Sequence, residues 1–183
     1  MGIFDKLTGK NNKVSKDTKE KYLKLLSLFG ECEGSSDAKY LTERMLEAPR
    51  DYYKKNKFLY DERGIKEDIN TDDLVWISFV MILEECAVVS EIRKDCDLDF
   101  FLFSIDRIDN RDFFELREEK LDPDAKVTDW IKQLSNQRTD GDCIFAIIES
   151  ESDSYVLFIT DINTLKEIRE IAIELNRDIK KFC

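Results

Sequence analysis

Cys143-Ile-Phe-Ala-Ile-Ile-Glu149, Ser150-Glu-Ser-Asp-Ser154, Tyr155-Val-Leu-Phe-Ile-Thr160, Asp161-Ile-Asn-Thr164 and Leu165-Lys-Glu-Ile-Arg-Glu-Ile-Ala-Ile-Glu-Leu-Asn176 make up one continuous stretch, and the fold is read from it. Two short runs of β-branched and aromatic residues flank a polar connection of small and acidic residues, which predicts an antiparallel hairpin. Leu165, Ile168, Ile171, Ala172 and Leu175 then recur at helical spacing, and Thr164 with Glu167 reads as a capping box at the helix start. A hairpin and a one-faced helix bury their apolar surfaces only against each other or a neighbour. The expected class is therefore α+β, a small antiparallel sheet covered by helices, with a mostly helical N-terminal part.

Working outward, Leu74-Val-Trp-Ile-Ser-Phe-Val-Met-Ile-Leu83 has hardly a polar position and is preceded by the N-cap candidates Asn70-Thr71-Asp72-Asp73. A helix apolar on nearly every side belongs in the interior, so this run is the expected central helix, with Trp76 in the core. Ala87 to Ile92 reads as a strand and Arg93 to Asp97 as a turn. Leu98 to Ile108 reads as a helix with Leu98, Phe101, Leu102, Ile105 and Ile108 inward. The charged stretch Arg107 to Lys126 carries Phe113, Phe114 and Leu116 and is expected to be a surface excursion. Val127, Trp130, Ile131 and Leu134 predict a further helix, followed by a turn containing Gly141. Ile179 and Phe182 suggest a short closing strand.

Toward the N-terminus, Tyr22, Leu25, Leu26 and Phe29 mark one helix up to Gly30, and Tyr40, Leu41, Met45 and Leu46 a second over Ser36 to Leu46. Pro49 breaks or restarts the chain. Arg50 to Ile65 interleaves aromatic and basic residues as nucleic-acid surfaces do. It reads better as helix, with Tyr52, Tyr53, Phe58 and Tyr60 inward and lysine stems snorkelling out. The expected organisation is a flexible segment over 1–16 with an amphipathic start at Met1 to Leu7, then one domain over 17–183. Within that domain, 17–69 is a helical subregion and 70–183 the sheet-containing core.

Composition narrows the function. The 183 residues carry 40 acidic against 29 basic side chains, a formal net charge of -11. Such a field repels nucleic acid and anionic membrane and favours a basic protein as partner. No apolar run approaches the roughly 18 residues that span a bilayer, and the N-terminus lacks a secretory pattern, so a cytoplasmic location is expected. The five cysteines show no CxxC pairing, which suits a reducing compartment and speaks against zinc or iron-sulfur sites.

Histidine is absent, which removes the commonest general base and every Ser-His or Cys-His nucleophile pair. Six glycines without a GxGxxG or GxxxxGK[ST] pattern leave no familiar phosphate cradle. No catalytic residue and no cofactor are therefore assigned. Two carboxylate clusters remain. Glu149, Glu151 and Asp153, interleaved with serines, offer hard oxygen donors that alternate in an extended segment, and they are the metal candidates. Their bland explanation is turn chemistry. Asp95, Asp97 and Asp99 with Asp106 and Asp109 bracket a predicted helix, where capping and the helix dipole account for acids.

The helix and strand over Leu74 to Ile92, the helix at Leu98 to Ile108, and above all Ser152-Asp153-Ser154-Tyr155-Val156-Leu157-Phe158 carry a resemblance. The chain resembles a family of small bacterial cytosolic proteins of unknown function that end in a Ser-Asp-Ser-Tyr hairpin, over roughly Thr71 to Phe182. Cys86-Ala87-Val88 occupies the place of a glycine-containing turn. The resemblance implies the fold and no catalytic role. In general architecture the chain is also similar to the SUKH class of toxin-immunity proteins, although fold alone does not dictate function. The expectation is a non-enzymatic binding protein, most concretely an inhibitor of a basic toxin. A carboxylate-based, divalent-metal-dependent enzyme using Glu149, Glu151 and Asp153, and a structural or regulatory module, stand as the alternatives.

Overall fold

In the computed structural model, which describes residues 13–30, 35–108, 120–137, 143–148 and 153–182, the two apolar runs pair as an antiparallel hairpin. In chain order the elements are α1 (Lys16–Leu28), α2 (Ser35–Glu47), α3 (Pro49–Lys55), α4 (Lys57–Glu62), α5 (Thr71–Glu85) and β1 (Ser90–Arg93). Then follow α6 (Leu98–Asp106), α7 (Val127–Ser135), β2 (Cys143–Ile148), β3 (Ser154–Asp161), α8 (Ile162–Glu174) and β4 (Ile179–Lys181). The class is α+β, as expected.

The sheet order is β1-β3-β2-β4 and every pairing is antiparallel. Phe145 sits opposite Ile159 and Ala146 opposite Phe158, while β1 adds to β3 with Ser90 opposite Leu157. The closing strand forms on the outer edge of β2, with Ile179 opposite Ile148.

All six residues of β2 are buried. Successive side chains of a strand point to opposite faces, so continuous burial requires cover on both. Ile144, Ala146, Ile148, Val156 and Phe158 join the core built with α1, α2, α5 and α8. Cys143, Phe145, Ile147, Leu157 and Ile159 face a second core with Phe101 and Ile105 of α6 and Trp130, Ile131 and Leu134 of α7. Helices α5 and α8, with α1 and α2, thus cover one face, and α6 and α7 close the other. Phe145 and Phe158 are each almost fully buried, one per face. Burial of a side chain that size stabilises by roughly 2–3 kcal/mol.

The central helix α5 is capped by Asn70, whose Oδ1 accepts from the Asp73 backbone N–H at 2.9 Å. It packs through Leu74, Val75, Trp76, Phe79, Ile82 and Leu83, and Phe79 meets the edge of Tyr22 at 5.2 Å. Phe29 in turn meets Phe158 at 4.9 Å, linking the helical N-terminal part to the sheet. Val14 packs on the same core, just ahead of the α1 cap Ser15. Residues 1–12, including the amphipathic start, lie outside the described residues, as do Phe113, Phe114 and Leu116 and the turn glycine Gly141.

Four expectations are corrected. The cap of α8 is Asp161 rather than Thr164: its Oδ1 accepts from the N–H groups of Asn163 at 2.9 Å and Thr164 at 3.0 Å. The chain passes from strand to helix without a loop, so the last strand residue supplies the cap. The strand expected from Ala87 begins at Ser90, because Ala87 adopts φ 58° and closes α5 with Val88 N–H donating to the Leu83 carbonyl at 2.9 Å. That is the left-handed conformation a glycine-containing turn would supply. The Arg50–Ile65 stretch divides at Asn56 into two short helices. Within it Tyr53 and Tyr60 are buried against each other at 4.8 Å, whereas Phe58 points out and is 70% exposed. Residues two apart on a helix do not share a face, so Tyr60 and Phe58 cannot both turn inward.

Candidate interaction surface

Asp153 immediately precedes β3, and its carbonyl accepts from the Lys94 N–H at 2.9 Å. With Arg93, Lys94, Asp95 and Ser154 it lines an open hollow of about 480 Å³ at the end of the β1–β3 pair. Arg93 is fork-bound to Asp95, Nε to Oδ1 at 3.0 Å and Nη2 to Oδ2 at 2.9 Å. This pairing raises the Arg93 pKa and lowers that of Asp95, and the Asp153 carboxylate adds a smaller push on Arg93. The neighbours the structure gives Asp153 thus include cations. Glu149 and Glu151 lie outside the described residues.

The second carboxylate cluster is dispersed by its local roles. Asp95 is tied to Arg93. Asp97 caps α6, its Oδ1 accepting from Phe100 N–H at 2.8 Å. Asp99 and Asp106 lie on the outer side of α6, and Asp109 is outside the described residues. Among the described residues, no three His, Cys, Asp or Glu side chains gather as a metal site.

What these acids surround is an aromatic surface that the inward-facing stripe did not include. Helix α6 turns Phe101, Ser104 and Ile105 into the core, and Ile108 follows them. The ring of Phe101 packs on Trp130 at 5.3 Å, while Trp130 Nε1–H donates to the Asp122 carbonyl at 2.6 Å. Ser104 donates to the Phe100 carbonyl at 2.8 Å, so its buried hydroxyl is satisfied within the helix. Leu98 and Leu102, both expected inward, are only half-buried. On the outer side Phe100 is 45% and Phe103 61% exposed, and the Arg107 guanidinium lies 6.0 Å from the Phe103 ring centre. The sequence signal was present: Phe100 and Phe103 are three apart and off the Phe101–Ile105–Ile108 stripe.

The remaining sequence candidates are structural or neutral. Trp76 is a core residue. Cys143 is buried and Cys86 and Cys96 half-buried, none of the three in a disulfide, and burial raises the Cys96 pKa. No helix of the described residues is long and apolar enough to cross a membrane.

A family profile described as a domain of unknown function matches residues 21–182 of the chain. No curated protein and no solved structure matches it.

Proposed function

Since the chain belongs to the DUF6630 family of domains of unknown function, we propose from its own chemistry that it is a non-enzymatic binding protein for a basic protein partner. Its most concrete form is an inhibitor that works as toxin-immunity proteins do, by covering a cationic surface.

The observation that carries this reading is the surplus of 40 acidic over 29 basic side chains. A net charge of this size steers an oppositely charged partner and raises the rate of encounter, while like-charged polymers are kept away. Acids also collect along α6, where Asp97, Asp99 and Asp106 fall within ten positions of one another, Asp95 being paired with Arg93. Asp97 is held in place by the Phe100 N–H.

The test is capture of purified protein by a panel of immobilised cationic proteins at about 50 mM and about 500 mM salt, spanning weak and strong screening. Capture that falls at least tenfold across that range is expected. No capture, or capture that ignores salt, overturns the proposal.

A further inference from the structure

We draw no further inference here: the strongest candidate, the outer face of α6 with Phe100 and Phe103 exposed one turn apart, is an unpartnered apolar face, and nothing in the structure shows what covers it.

Discussion

Arg177 and Asp73 meet at 2.7 Å although 104 residues separate them in the chain. The Arg177 guanidinium lies 5.6 Å from the Trp76 ring centre, and its own backbone N–H donates to the Ala172 carbonyl at 2.8 Å. One side chain thus joins the first turn of α5 to the segment leaving α8. Burial pushes the neighbouring Tyr22 hydroxyl up to about 12, against the opposing charge of Arg177.

Replacing Arg177 by alanine is expected to cost about 1–2 kcal/mol. The ion pair itself contributes little, since Asp73 is 42% exposed and screened by solvent. The remainder is lost cation–π contact and packing on Trp76. Arg177 holds the Asp73 carboxyl below its usual range, with burial opposing and Asn70 assisting. A depressed carboxyl pKa stabilises the fold above the unfolded value, about 3.9, and that stability is lost as pH falls through the folded value. Urea unfolding of the parent and of Asp73→Asn should therefore differ at pH 7 and converge in acid well below pH 4. A gap that persists there would show that charge is not its origin.

Tyr60 and Ser78 form a buried hydroxyl pair at 2.6 Å, and Ser78 Oγ–H donates to the Leu74 carbonyl at 2.6 Å. The single serine proton is committed to Leu74, so Tyr60 must be the donor to Ser78. Ser78→Ala leaves the phenol proton without an acceptor and is expected to cost about 1–3 kcal/mol, against about 1 kcal/mol for Tyr60→Phe. The double variant should be clearly more stable than the sum of the two losses implies. Additive losses in a double-mutant cycle would contradict the pairing.

Ala87 holds φ 58° and Gly64 φ 68°. Ala87→Gly is expected to raise stability by about 0.5–1 kcal/mol, because glycine adopts the left-handed region without the Cβ conflict. Gly64→Ala should lower it by about 1 kcal/mol even though an added Cβ meets nothing within 4 Å. Opposite signs in thermal melts are the check; matching signs would refute the backbone argument.

Asp161 caps α8 through two backbone N–H groups, and a hydrogen bond from the Thr164 hydroxyl together with those N–H groups lowers its pKa. Asp161→Ala is expected to cost about 1 kcal/mol, and Asp161→Asn, which keeps an acceptor oxygen, much less. Denaturant midpoints decide between them, and equal losses would remove Asp161 as the cap.

The elements were legible wherever one periodicity dominated. Leu165, Ile168, Ile171 and Ala172 are buried as their spacing requires, and so are Val127, Trp130, Ile131 and Leu134. Boundaries were less legible because caps and left-handed residues act through single backbone groups. Thr164 has the right residue type for a cap, yet the abrupt passage from β3 into α8 gives that place to Asp161. Phe58 was hidden among other aromatics, since a stretch rich in phenylalanine and tyrosine does not announce which rings find partners, whereas Phe103 lay visibly off the inward stripe of α6. Of the metal candidates, Asp153 stands beside Arg93 and Lys94, a neighbourhood that its alternation with Glu149 and Glu151 could not reveal.

Taken alone, the order of residues determined the α+β class, the pairing of the two apolar runs, the interior place of α5 and the acidic field, since each follows from local periodicity or from summed charge. Only the tertiary structure decided that the sheet is covered on both faces, that Arg177 closes on Asp73, and that α6 buries one side of an all-round apolar helix while showing Phe100 and Phe103 to solvent. The reason is physical: periodicity states which residues must leave water, whereas the surface that receives them is made by segments distant in the chain.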